Sequence, residues 1–364
     1  MTSPNDASNA AVKPRFSGGT EFYTELKRRV SEFFADGKRR ERDCLRMYLK
    51  TAIILGGFVG TYLLLILWAS TWWQIVPLVA LLAVGIAAIG FNIQHDGGHQ
   101  AYSDSAIVNR LMAWTMDLAG ASSYIWHRKH DIIHHTYTNI PGHDSDIELG
   151  VFGRLSPEQP RRAFHRYQHF YLWFLYGLMA IKWQLVDDFR DVIKGRIGNT
   201  KIQRPRGWAL FGFLLGKVVF FSWAFAIPLM LHTWWVVLLC YIGGAGLLGV
   251  ILSVTFQLAH CVEEADFPTP DKETGQVGRA WAEHQLATTV NFAPRNWLCT
   301  WFMGGLNFQV EHHLFAKICH VNYPALSRVV EETCKDFGVP YNTNGSLWRG
   351  IVSHYRFLRR MGRA

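Results

Sequence analysis

Residues 75–99 read IVPLVALLAVGIAAIGFNIQHDGGH, an apolar run that ends directly in two histidines, His95 and His99. About twenty apolar residues, rising about 1.5 Å each, cross the hydrocarbon of a bilayer, so this run reads as a membrane helix. Three further stretches have the same character, which places predicted spans at 51–70, 75–93, 208–231 and 234–256. They pair into two hairpins. The connectors 71–74 and 232–233 carry no Lys, Arg, Asp or Glu, whereas the arm before the first span, the segment 94–207 and everything after 257 are rich in Lys and Arg. The positive-inside rule then puts both termini and the long middle segment in the cytoplasm. Trp72, Trp73, Trp234 and Trp235 fit an aromatic belt at the outer face.

Composition agrees with a membrane protein that has large soluble parts: aromatics reach 14%, charged residues only 18%, yet mean hydropathy is just +0.05. The net charge of +9 lies in Lys and Arg beside apolar stretches, where topology and anionic lipid account for it, so no nucleic acid partner is expected. Six cysteines form no C-x-x-C pair, which excludes a zinc ribbon and leaves no legible disulfide framework. Residues 1–48 form a polar, cytoplasmic N-terminal arm without the apolar core of a signal peptide, and disorder is expected over its first fifteen or so residues. Segments 107–126 and 170–181 are apolar, but the first carries Arg110 and Asp117 and the second is short. Both are read as interfacial or re-entrant. Lys217 falls mid-span and is expected to snorkel to an interface. Gly56, Gly57 and Gly60, with Gly243, Gly244 and Gly246, are expected to let helices approach closely.

The histidines carry the chemistry. His95 and His99 follow the second span. His130, His134 and His135 stand in the middle segment, His260 comes just after the fourth span, and His312 and His313 follow Gln309. Imidazoles four apart on a helix share a face, and a neutral imidazole is the commonest protein metal ligand. A catalytic zinc uses about three protein ligands, so eight nitrogen donors suit two metal ions that keep open positions. Gln309 is read as a weak ligand or as an orienting group, and His284 as a source of a ninth nitrogen. Asp96, Asp131 and Glu311, each beside a candidate ligand, are expected to hold imidazoles in place through N–H bonds. Gly97 and Gly98 are expected to weaken the helix at the first pair. His127, His143, His165, His169, His232, His320 and His354 are expected at the surface or the interface. Arg128, Lys129 and Arg295 are candidate contacts for an acidic head group, with solvated topology charges as the equal alternative.

Three other classes fit this pattern less well. A membrane zinc hydrolase is suggested by an acid beside His95 in a pair spaced like H-E-x-x-H, but it leaves the other histidine groups without a purpose. A metal transporter or other metal-binding membrane protein places ionisable ligands inside the spans, where only Lys217 lies. Haem ligation needs opposed histidines within two spans, and the spans hold none.

The histidine groups sit in longer motifs: His134-His135-Thr136-Tyr137-Thr138-Asn139, Gly142-His143-Asp144-Ser145-Asp146-Ile147-Glu148, Phe256-Gln257-Leu258-Ala259-His260 and Gln309-Val310-Glu311-His312-His313-Leu314-Phe315. In this order, and with four spans between them, they resemble the membrane fatty acid desaturase family over roughly residues 50–335. They are most similar to acyl-CoA and acyl-lipid desaturases of the linoleoyl (delta-6, front-end) type. The resemblance implies an all-α integral membrane protein with four transmembrane helices in two hairpins and a cytoplasmic helical cap holding the histidines, organised as an arm (1–48), a desaturase domain (49–335) and a cytoplasmic tail (336–364). It further implies two iron ions (Fe2+/Fe3+), dioxygen as co-substrate, and a fatty acyl-CoA or acyl-lipid that gains a cis double bond. No His-Pro-Gly-Gly motif of a fused cytochrome b5 occurs, so a separate electron donor is expected: ferredoxin, cytochrome b5 or a reductase. Hydroxylation of a lipid or hydrocarbon by the same ligand set is the alternative outcome.

Overall fold

A short helix α1 (Glu21–Ala35) precedes two long apolar helices, α2 (Leu45–Leu67) and α3 (Trp72–Gly98). The computed structural model describes residues 12–364, so most of the segment expected to be disordered lies outside the described residues. Helix α4 (Ala106–Leu118) and a helical segment α5 over residues 123–137 follow. Then come α6 (Gln168–Tyr176), α7 over residues 178–194, and a second long pair, α8 (Trp208–Leu231) and α9 (Trp234–His260). The remainder holds α10 (Trp281–Thr288), α11 (Trp297–Phe302), α12 (Gln309–Leu314), α13 (Tyr323–Phe337) and α14 (Leu347–Met361). Strands are reduced to two- to five-residue pairings, such as Arg15–Ser17 against Gln276–Ala280 and Asn291–Phe292 against Thr343–Asn344.

The four helices long and apolar enough to cross a membrane are α2, α3, α8 and α9. The start of α3 is closed by a capping box, in which the Gln74 side chain accepts from the backbone N–H of Thr71 at 3.2 Å. Helix α2 begins earlier than expected, and α3 and α9 run on to Gly98 and His260, past the predicted ends at 93 and 256. Apolarity ends where hydrocarbon ends, but the backbone continues its own hydrogen bonding; Asn92 helps by donating to the carbonyls of Ala88 and Phe302.

The expectation that Gly97 and Gly98 loosen the helix is overturned. Both stay helical, and their lack of a side chain is what lets neighbours in. A Cβ on Gly97 would lie 2.5 Å from the backbone nitrogen of Ala113 on α4, and one on Gly98 only 2.3 Å from the Trp126 ring. Of the glycines expected at helix contacts, Gly244 meets Val79, whereas Gly56, Gly57 and Gly60 face open space. Another tight crossing is at Gly249, where a Cβ would approach the Tyr176 carbonyl to 2.6 Å. Gly249 precedes His260 by eleven residues, so the α6–α7 junction crosses α9 about 16 Å along its axis from the histidine end.

Lys217 does not snorkel. Its ammonium is buried, 2.7 Å from Asp188 and 2.7 Å from the Gly120 carbonyl, and it ties α8 to α7 and to the turn after α4. Asp188 also accepts from the Ser122 N–H and the Trp183 indole. The last residues are equally integrated: α14 buries Phe357 and Leu358 against Cys261, Ile147 and Leu172. Helix α1 of the arm packs Phe22, Leu26 and Val30 against Leu326 and Val330 of α13.

Candidate metal centre

Each histidine group is delivered by a different element. His95 and His99 close α3 after a π-helical stretch, Ile89–Gln94, and His130 and His134 lie within a second one, His127–His134. Such widened turns recur at functional sites because they shift which side chains share a face. His135 follows in the next helical turn, His260 is the last residue of α9, and His312 and His313 lie on α12.

All eight expected histidines meet in one place at the shared end of α3 and α9. The ring nitrogens of His95, His99, His130 and His312 lie within 4.8 Å of one another, and those of His134, His260 and His313 form a second such group. His135 belongs with His312 and His313, and its Nε2 stands 3.3 Å from that of His130. The Gln309 amide sits 2.9 Å from His260 Nε2, at the edge of the second group.

Most rings are held by Nδ1 and aim Nε2 inward. His99 Nδ1 faces Asp131 at 3.0 Å, His134 Nδ1 faces Asp144 at 2.9 Å, and His313 Nδ1 faces the Gln285 side chain at 2.8 Å. His260 Nδ1 points to the Thr288 carbonyl at 3.2 Å, and His312 Nδ1 lies 3.4 Å from the Tyr323 hydroxyl. The Nε2 atoms of His95, His99, His134, His312 and His313 are buried and have no hydrogen-bond partner among the described residues. Leaving a buried polar atom unpaired costs about 1–3 kcal/mol, so five converging in one place are a site built for something else to bind.

Electrostatics keeps these rings ready to ligate. Burial, reinforced by the neighbouring imidazoles, holds His130, His135, His312 and His313 well below their usual pKa, which leaves each neutral with a free lone pair. At His134 burial also pulls downward, but the Asp144 carboxylate outweighs it and the value is raised. Burial opposes ionisation of Asp131, yet hydrogen bonds from His127 and His99 hold it well below the usual carboxylate range.

Two of the three acids expected to orient ligands serve other partners. Asp131 does so, although for His99 rather than for its neighbour His130. Asp96 accepts instead from His320 Nδ1 at 2.8 Å, while His320 Nε2 faces the Lys50 ammonium at 3.0 Å. Glu311 bonds the Asn291 amide and the Tyr341 hydroxyl, and burial pushes its pKa up to about 7. Successive residues on a helix point about 100° apart, so an acid beside a ligand faces away from it. His284 lies outside the metal-competent groups: it is fully buried beside Phe16, with neither ring nitrogen partnered among the described residues. His165, His169, His320 and His354, expected at the surface, are buried as well.

Sequence reasoning missed Asp144 and Gln285 as orienting groups. Asp144 was visible within the Gly142–Glu148 motif, but nothing local to it indicates that it reaches back to His134. Of the expected head-group contacts, Arg295 is exposed, whereas Lys129 is engaged by Asp146 at 2.8 Å.

Comparison with known proteins gives a consistent result. Residues 70–345 match the fatty acid desaturase family. The chain is 37% identical to an acyl-lipid (8-3)-desaturase of Physcomitrium patens, over 94% of this chain and 72% of that protein. It is 36% identical to the sn-1 linoleoyl-lipid 6-desaturase of Synechocystis sp., over 97% of this chain and 99% of that one, and equally identical to its counterpart in Arthrospira platensis.

Proposed function

Because this chain belongs to the fatty acid desaturase family, and so is an oxidoreductase that introduces a double bond into a fatty acyl chain, we propose that its eight histidines hold two iron ions. One iron takes His95, His99, His130 and His312. The other would be held by His134, His260 and His313, with His135 grouped with His312 and His313 and Gln309 beside His260. The observation that carries this reading is the set of five buried, unpartnered Nε2 atoms aimed into one volume. Neutral nitrogen donors with their far nitrogens anchored suit a borderline metal such as iron. Bound there, the iron pair supplies the power to reduce dioxygen and remove two hydrogens from neighbouring methylenes.

The chain's own residues then bind and orient. Asp131, Asp144, Gln285, the Thr288 carbonyl and Tyr323 fix ring directions. Burial of seven of the eight rings, with His130 half-buried, excludes bulk water, and the position at the ends of two spans admits an acyl chain from the lipid side. Relatives named for acyl-lipid and linoleoyl-lipid substrates favour a lipid-linked acyl chain over a free acyl-CoA. The Lys and Arg asymmetry of the connectors supports two hairpins with both termini and the cluster in the cytoplasm, and electrons come from a separate carrier protein.

The test is expression in a host that lacks polyunsaturated lipids, with total fatty acids read by mass spectrometry and metal content of the purified protein by elemental analysis. Two irons per chain and a new unsaturated species, both lost in His134→Ala, support the reading. Hydroxylated products, or zinc in place of iron, overturn it.

A further inference from the structure

The face where α6 meets α14 has an amphiphilic layout that the histidine centre does not use. A shallow groove between the two helices is walled by Trp173, Trp348, Ile351, Val352 and Tyr355. On α14 the same helical stripe continues from Tyr355 to Arg359 and on to Arg363 beyond its end, so one row of positions passes from apolar to cationic. Both arginines are exposed, and neither forms an ion pair among the described residues. The apolar end lies toward the spans: Leu347 and Ile351 pack against the cluster that contains Leu258 and Leu248 of α9.

At the cationic end stands His169, the second residue of α6. It is only 3% exposed, and its Nδ1 is buried without a partner among the described residues. Its ring is clasped between Phe170 and Tyr355. Burial, and after it the charges of Arg363 and Arg359, hold its pKa below the usual value. Further down α6, on the side that carries Phe170, Phe174 is 83% exposed, and Trp348 is 70% exposed at the far end of the groove. Aromatic side chains this bare are costly in water and suited to lipid. Cations at a helix C-terminus complement its dipole, but that leaves unexplained the apolar groove beside them.

We propose that this groove holds one anionic phospholipid from the bilayer, its phosphate on Arg359 and Arg363 and an acyl chain along the Trp348–Tyr355 stripe. Charge complementarity and continuity with the membrane-spanning surface select a phospholipid over a protein partner. The site shares no residue with the histidine cluster and recognises the bilayer rather than the reacting chain.

The experiment titrates purified full-length protein in detergent with phosphatidylglycerol, phosphatidylcholine or inorganic phosphate and counts retained ligand by native mass spectrometry. One tightly retained phosphatidylglycerol per chain is expected. Arg359→Gln with Arg363→Gln should weaken it about thirtyfold, taking each arginine at its usual worth near an anionic surface. Val352→Asp, in the groove wall, should weaken it independently, with melting temperature and metal content confirming that each variant folds. Equal retention of phosphatidylcholine, no loss in either variant, or inorganic phosphate displacing the lipid at equal concentration would each overturn the proposal.

Discussion

The Nδ1 of His134 lies 2.9 Å from Oδ2 of Asp144, and both side chains are fully buried. The carboxylate holds the proton on Nδ1 and turns Nε2 toward His260 and His313. Asp144 is held in turn by the backbone N–H groups of Asn139 and Asp146.

Asp144→Asn keeps the shape but removes the charge that orients His134. Loss of such an outer partner typically costs 10- to 100-fold in metal affinity. Iron retained against a competing chelator should fall by about that factor, while Asp144→Glu should recover part of it. Unchanged iron retention would show that Asp144 is merely structural.

Gly98→Ala would place a Cβ 2.3 Å from the Trp126 ring, which itself stacks on His130 at 4.7 Å. The ring must move and carry His130 with it. Activity should drop at least tenfold, as about 1 Å of misplacement at a reacting centre can cost that much. Trp126→Leu in the same chain should restore a measurable part, since it removes the clash.

Lys217 and Asp188 form a buried ion pair, so the single and double variants should diverge. Lys217→Met leaves Asp188 unpaired and should cost about 3–5 kcal/mol. Lys217→Met combined with Asp188→Leu should cost clearly less, because no lone charge remains buried. Thermal unfolding in detergent reads both, and equal losses would count against the pair acting as a unit.

His354 on α14 sits with Nδ1 2.7 Å from the Cys261 carbonyl and Nε2 2.8 Å from the Tyr176 hydroxyl. The carbonyl can only accept, so Nδ1 donates and Nε2 accepts from Tyr176. Burial pulls the pKa of His354 down to about 4, below the roughly 6.5 of an unfolded histidine. The unfolded chain therefore binds this proton first as pH falls. The contribution is complete above about 6.5 and is lost progressively toward 4, at most about 3 kcal/mol. Melting temperature should drop over that window, and His354→Gln should flatten the drop even though it lowers stability at neutral pH.

What was legible in the chain followed from local patterns. The four spans show in runs of apolar residues, and the histidine groups show because i,i+4 spacing is itself a statement about one helical face. Partner assignments were not legible. Asp96 and Glu311 stand next to ligands in sequence, yet helical rotation turns them toward His320 and Tyr341. Asp144 and Gln285 orient rings 10 and 28 residues away, and Lys217 finds Asp188 across 29 residues. His169 and His354 read as surface histidines because nothing nearby in the chain announces that α6 and α14 pack against each other.

The sequence by itself determined four helices long and apolar enough to cross a membrane, with histidine groups just past the ends of two of them, since hydropathy and helical period act over a few residues. Tertiary structure alone decided how those rings divide into two groups, which groups hold each Nδ1, that His284 stands apart, and that Lys217 is neutralised inside the protein. These outcomes depend on packing between elements far apart in the chain and on two π-helical stretches that reset which side chains share a face.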